Sequence, residues 1–578
     1  MNRAEWVERY RGDISLPNRD EVVNNALQTR RKQAHLKYES LPEVTLSAVT
    51  TTSQAKSSIP VPKQWSYTGR KPVISSSLAN TPCTSLGVAG LLEKLNSALG
   101  TSYTLETPSL SSLLEAYSTK DYDFGTVYAH LRPVWYDGLT DAKNELHAYE
   151  IQDREMRQDV LMNNKIVASS MPPRCTWDLY SNRVVPWGIS HAWMEEKDRA
   201  DVLTPINGHE WPVPIPKDAD LGRIRIEMLN LGAEYVWLDV LCLRQKGGRR
   251  EDLRVEEWKV DVPTIGSLYR GVTEKVVCYI SGLGRPLSLK AGDFESDRCW
   301  FRRAWTLQEI STDPIIGGDT GDNRAMQEEI QARFEKDLSL LRQMQAQFNV
   351  FGRPSALSEM QKRVSTNPVD KVAGLAYLLR SDRIPAYYEA QSEEDAWTAL
   401  VDVMLDEFRA EFLFRYPKPG NGNKSWRPSW RQVMTEVLPS YHLPIGIGQV
   451  DRKEEDTDTD WYWGHCIESG YVRGLAEGPQ DGELRQGELL VEDNTGTKHV
   501  FNIVADHQYP IPDGLYTLIG SEPFMFGVPF IRVQHWAVGR RSSMQEFDKV
   551  SVFTMLDREE VKRVLDLGVS TEIVNILA

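Results

Sequence analysis

The run Tyr235-Val236-Trp237-Leu238-Asp239-Val240-Leu241-Cys242-Leu243 is nearly continuous in apolar side chains, with Asp239 as its only charge. A strand covered on both faces needs such a run, whereas a half-solvated strand alternates apolar and polar residues. Upstream, Leu221, Ile224, Met228 and Leu231 recur at the spacing of one helix face, and Val184 to His191 predicts a strand before them. Downstream, Val255, Trp258, Val262, Ile265 and Tyr269 predict a helix that Pro263 starts or kinks, and Val276 to Ile280 a third strand. Ser296 or Asp297 then caps an expected third helix running to about Ile310. Three alternations of strand and helix within 175–312 predict a parallel sheet with helices on both faces.

The flanks differ in kind. Residues 1–65 carry a Ser/Thr/Pro-rich tract, Thr45 to Lys63, and read as a flexible arm. Leu86, Leu91, Leu92, Leu95 and Leu99 mark a helical N-terminal region over 66–170. Residues 313–435 read as mainly helical, most clearly Met326 to Phe348 and Glu393 to Phe408, with polar loops at Pro417–Lys424 and Glu454–Asp460. Short runs such as Leu489–Val491, Val500–Val504, Leu515–Ile519, Phe530–Val538 and Val550–Met555, then a helix near Arg558–Leu567, predict a small β-rich C-terminal module over 436–578.

Bulk composition narrows function. Across 578 residues, 67 basic side chains face 82 acidic ones, a net charge of −15, which disfavours a nucleic-acid partner. No run approaches the ~18 to 20 apolar residues that span a bilayer, so a cytoplasmic protein without a membrane span is expected. Six cysteines lack any C-x-x-C pair, which leaves a zinc site no ligand cluster and predicts reduced, buried thiols.

Three motif fragments are weak. Gly188-Ile189-Ser190-His191-Ala192 approximates the strained strand-to-helix turn that exposes a nucleophilic serine, but Ala192 replaces the last glycine and 194–219 is polar and Pro-rich. Gly282-Leu283-Gly284 follows a strand yet lacks the third glycine of a dinucleotide loop, so these read as turn residues. Asp456-Thr457-Asp458-Thr459-Asp460 begins like a calcium loop, but Trp461 and Ile467 stand where glycine and glutamate are required, so a solvated loop is expected.

Three longer segments are more specific: Trp187-Gly188-Ile189-Ser190-His191-Ala192-Trp193, the block from Val236 to Gln245, and Trp300-Phe301-Arg302-Arg303-Ala304-Trp305-Thr306-Leu307-Gln308-Glu309. In order and spacing they resemble the three blocks of the heterokaryon-incompatibility (HET) domain of filamentous fungi. Asn367-Pro368-Val369-Asp370-Lys371-Val372 and Pro428-Ser429-Trp430 are similar to its later elements, so the resemblance covers about 175–430. The first block departs from the family pattern at His191 and Met194.

The resemblance implies an α/β core similar to Toll/interleukin-receptor (TIR) and flavodoxin-like folds, and a signalling protein of fungal non-self recognition and programmed cell death. It implies self-association and another protein partner. Some TIR domains cleave NAD with a glutamate on the helix after the third strand, and Glu309 occupies the corresponding place here; NAD would then be a substrate, with no cofactor required. A carboxylate there would stabilise the positive charge developing on the ribose. Ser190, His191 and Asp239 are other candidate ligand-binding residues, with Ser281-Gly282 beside them, at or near the carboxyl ends of the expected strands, and Trp305, four residues before Glu309 on the same face of the expected helix, is a further candidate whose ring can stack on a planar group. The alternative for Glu309 is an ion pair with Arg302 or Arg303 at the end of an amphipathic helix.

Overall fold

The computed structural model describes most of residues 76–135 and 187–578, together with an antiparallel pair of strands, Val44–Ser47 and Ser66–Gly69. Most of the arm expected over 1–65, residues 136–170 of the expected helical region and residues 184–186 of the expected first strand lie outside the described residues.

The N-terminal unit is helical, with α1 (Cys83–Leu99), α2 (Leu110–Thr119) and α3 (Phe124–Leu131). The leucine stripe behaves as its spacing requires: Leu91, Leu92, Leu95 and Leu99 are buried against Leu113, Leu114 and Phe124 in a cluster of their own. Gly100, at φ 66, ends α1 in the left-handed conformation that glycine adopts without a Cβ clash.

The central unit contains β1 (Trp187–His191), α4 (Leu221–Leu231), β2 (Val236–Trp237), α5 (Arg254–Asp261), β3 (Val276–Tyr279) and β4 (Ile315–Ile316). The four strands form a parallel sheet in the order β2-β1-β3-β4, with Gly188 beside both Trp237 and Val276, and Ser190 beside Cys278. Strand order reverses next to β1, which is where an open parallel sheet leaves a crevice at its carboxyl edge. Leu221, Ile224 and Met228 of α4 are buried against this sheet.

Two expectations fail here for tertiary reasons. Among the described residues of the run from Tyr235 to Leu243 only Val236 and Trp237 pair, and from Asp239 to Cys242 the chain makes a helical turn. Asp239 hydrogen-bonds its neighbour's amide and two side chains from the end of β1, and Val240 O accepts from Trp211 Nε1 at 3.1 Å, which fixes the turn. The helix expected from 296 to 310 is absent. In its place stand 3-10 turns at Trp300–Arg302 and Trp305–Leu307, with Cys299 extended before the first and Arg303 extended between the two. Arg303 forms a β-bridge with Val364, whose amide donates to Arg302 O at 2.6 Å, so a partner distant in sequence overrides local helix preference. Strand β4 had no counterpart in the sequence reading.

Helices α6 (Glu328–Ala346), α7 (Val369–Ala373), α8 (Glu393–Asp402) and α9 (Asp406–Arg415) follow. Ser392 caps α8 by accepting from Asp395 N. The helix expected over Glu393 to Phe408 is therefore two, divided at Val403–Leu405. These helices share one apolar cluster with the back of the parallel sheet.

The C-terminal module is more regular than its short runs suggested. Strands β5 (Asp460–Arg473), β6 (Arg485–Glu492), β7 (Lys498–Ala505), β8 (Gly514–Gly520), β9 (Gln534–Arg541) and β10 (Phe547–Met555) pair antiparallel in the closed ring β5-β6-β7-β10-β9-β8. Closure removes free edges from that ring. Leu489, Phe501, Leu518, Trp536 and Phe553 form its core with Val561 and Val564 of α10 (Arg558–Asp566), and β11 (Thr571–Leu577) lies along β5.

The 14-residue β5 escaped sequence reading because Gly464, His465, Ser469 and Gly470 interrupt its apolar pattern. Its first residue corrects the solvated-loop reading of Glu454–Asp460. Asp460 is fully buried, pairs with Arg409 of α9 and accepts from Trp426 Nε1 at 3.2 Å, joining barrel to helices. Residues 453–458 lie outside the described ones.

Candidate functional site

Ser190 and His191 are consecutive on β1, and consecutive side chains of a strand point to opposite faces. Ser190 Oγ donates to Glu309 Oε2 at 2.6 Å and accepts from Trp300 Nε1 at 2.8 Å. On the other side His191 Nε2 lies 2.8 Å from Asp239 Oδ1, and Asp239 Oδ2 accepts from Trp193 Nε1 at 2.6 Å. Tyr269 OH donates to Ile189 O at 2.6 Å and fixes the strand between the two groups. Residues from the three sequence blocks thus meet at the carboxyl end of β1, although Ser190 and Glu309 are 119 positions apart.

Burial sets the electrostatics. Glu309 is 9% exposed, and burial pushes its carboxyl from 4.5 up to about 7, against the Ser190 hydrogen bond, which favours the anion. His191 and Asp239 act as an ion pair. Burial alone would lower the imidazole, but the charge and hydrogen bond of Asp239 outweigh it and raise His191 above 6.5. Burial likewise opposes the Asp239 anion, and the charge of His191 with hydrogen bonds from His191, Trp193 and Val240 lowers its carboxyl.

Four of the five predicted site residues, Ser190, His191, Asp239 and Glu309, come together. Trp305 does not join them. It lies neither on a helix with Glu309 nor in the network; its indole hydrogen-bonds Asp370, and its ring faces Tyr387 at 6.5 Å between centroids. Tyr387 OH also donates to Asp370, at 2.8 Å, so the segment Asn367–Asp370 serves to hold Trp305. The ion-pair alternative for Glu309 fails as well: Arg302 bonds Asp297 and Arg303 bonds Thr366. Ser281 closes its own loop onto Ser288, and Gly282 and Gly284, at φ 108 and 69, are the turn residues their spacing suggested.

Three contributors were missed or misjudged. Trp300, quoted within the third block and given no role, is fully buried and is the donor to Ser190. Trp193 was quoted within the first block and given no role. Arg363, between the third block and the Asn367–Val372 element, is 2% exposed and donates to Arg303 O at 2.6 Å and to Thr306 Oγ1 at 2.8 Å. It braces the turns that carry Glu309 and places a buried cation near its carboxyl. No spacing in the sequence marks Arg363, because its partners, Arg303 O and Thr306 Oγ1, lie about 60 positions away and are brought in by the Arg303–Val364 bridge.

The network is closed. Ser190 has no exposed surface, and ion pairs above it, Arg298 with Glu195 and Asp198 and Arg285 with Asp218, fasten the surrounding loops. Among the described residues no cluster of His, Cys, Asp and Glu is arranged to hold a metal ion, and no helix is long and apolar enough to cross a membrane. Compared with family models, with curated proteins and with solved structures, the chain matches none.

Proposed function

We propose that this chain is a HET-type signalling protein of fungal non-self recognition and programmed cell death that acts by self-association, with a TIR-like α/β core over 175–312. The observation that carries the reading is the convergence of the three blocks: Ser190 with Glu309 and His191 with Asp239, distant in sequence, form two polar pairs side by side at the carboxyl end of a parallel sheet. A closed polar network of this kind fixes the relative positions of the segments that carry it. In this reading it braces the resting core, and signalling follows assembly with further copies or with a protein partner.

A second reading is favoured by one observation, the Glu309 carboxyl poised near neutral pH. Here the core cleaves NAD: the ribose–nicotinamide bond breaks, nicotinamide leaves with the bonding pair, water adds to the ribose carbon and one proton is released. Glu309 as the anion would stabilise the oxocarbenium-like transition state. It first has to be uncovered, since Ser190 and Trp300 close the site around it in this state.

The two readings separate in one experiment. The full chain and its Glu309→Gln variant are expressed in a fungal host, and the purified proteins are incubated with NAD after assembly is verified by light scattering. Toxicity that persists in Glu309→Gln, without nicotinamide release by assembled wild type, supports signalling by association. Nicotinamide release lost in the variant supports NAD cleavage. Absence of both toxicity and release from assembled wild type sinks both.

A further inference from the structure

We propose that the N-terminal helical unit is a regulatory latch whose docking on α4 is coupled to the order of the carboxyl-end loops around Ser190 and His191. The inference holds whichever activity the network serves.

One side of α4 holds the latch. Arg225 pairs through both terminal nitrogens with Asp123, the residue before α3, and donates from Nη2 to Thr126 Oγ1 at 3.0 Å. Leu229, one turn later, is buried in the apolar cluster of the N-terminal helices. The fit is close at Gly125, where a Cβ would stand 2.7 Å from Arg225 Nη2.

The other side of the same helix holds the site. Glu227 is buried; its Oε2 accepts from Tyr279 OH and its Oε1 from Gly318 N at 3.3 Å. Tyr279 ends β3 directly beside His191. Ile224 fills the space at Gly284, where a Cβ would come within 2.9 Å of it. Just before α4, Asp218 holds Arg285 at 2.8 Å, and the same guanidinium lies 3.9 Å from Met194 Sδ, three residues beyond His191.

A helix moves nearly as a rigid unit, and packed interfaces change between discrete arrangements. A shift of α4 that follows the N-terminal unit therefore has to move Glu227, Ile224 and Asp218 together. The Asp123 and Arg225 side chains are 27% and 18% exposed, so the clamp is within reach of solvent and can open without unfolding the core.

The test is hydrogen exchange of the full chain read by mass spectrometry. Arg225→Ala is expected to speed exchange in α3 and, by about tenfold, at 187–194 and 281–285. Arg225→Lys, which keeps a cation facing Asp123 and leaves Asp123 to cap α3 through Thr126 N, is expected to keep most of the protection in both places, which separates a lost clamp from a damaged fold. Glu227→Leu, which cuts the link inside α4, is expected to loosen 281–285 and leave α3 protected. The proposal is overturned if α3 loosens in Arg225→Ala while 187–194 and 281–285 keep wild-type protection, or if α3 itself does not loosen.

Discussion

Replacing Glu309 with glutamine separates the charge of this side chain from its shape. Glutamine keeps an oxygen to accept from Ser190 Oγ and occupies nearly the same volume, but it never ionises. In the folded chain the Glu309 carboxyl titrates at about 7, against 4.5 when unperturbed, so the folded state holds its proton over a range in which the unfolded chain has lost it. Stability therefore falls as pH rises from about 4.5 to about 7 and is level outside that window. At about 1.4 kcal/mol per pKa unit, the shift amounts to roughly 3 kcal/mol, an order of magnitude for the cost of the buried anion. His191 adds a slope of the same sign, since its raised pKa gives stability that is full below 6.5 and lost at higher pH. The Glu309 charge is one of the smaller causes that raise His191, behind the charge and hydrogen bond of Asp239, so the variant keeps most of that slope and the difference is dominated by Glu309 itself. Glu309→Gln is expected to equal wild type within about 1 kcal/mol at pH 4.5 and to exceed it by about 2–3 kcal/mol at pH 8. Urea unfolding at a series of pH values, followed by tryptophan fluorescence, measures the difference. A variant less stable than wild type at pH 8, or a difference independent of pH, would refute the account of Glu309 as a buried carboxyl whose anion is destabilised.

Other substitutions test the remaining contacts. Trp300→Phe keeps the aromatic bulk and removes the donor to Ser190, so unfolding free energy should drop by about 1–3 kcal/mol, read in the same urea titrations. Asp239→Asn should lower the His191 pKa from its wild-type value, because burial is then opposed only by the Glu309 charge and the Ala192 backbone hydrogen bond; an NMR titration of the ring protons reports it, and a His191 pKa unchanged from wild type would contradict the ion pair. Asp460→Asn leaves the buried Arg409 with only the more exposed Asp406 carboxylate, 3.8 Å away, and should cost about 3 kcal/mol, seen as a lowered thermal midpoint. Gly318→Ala should cost more than about 2 kcal/mol in the same thermal scan, since φ is +71 and the new Cβ would meet Arg285 O at 2.0 Å.

How far the site was legible can be judged from its parts. Ser190, His191 and Asp239 were found because they end strands that a run of buried residues announces, and the carboxyl ends of parallel strands are where ligand crevices form. Glu309 was found through the family resemblance alone; the helix expected to carry it does not exist. Trp305 was misassigned for the same reason, since a position four residues away shares a face only within a helix. Arg363 carried no periodic or motif signal, and Trp193, though inside the first block, carried none for its role, because both roles depend on partners chosen by the folded chain.

The sequence by itself determined which segments must be buried. The apolar run at 235–238, the stripe of α4 and the leucines of α1 leave no other economical fate for those side chains, and they define a helical unit beside an α/β core. Only the tertiary structure decided what the polar residues inside that core do. Whether Asp239 continues a strand or turns to meet His191, whether 296–310 coils as a helix or breaks into turns against Val364, and whether Asp460 sits in water or on Arg409 are choices between local conformations of similar energy. Each was settled by a partner far away in the chain, since an unpaired buried polar group costs more than the local preference it overrides.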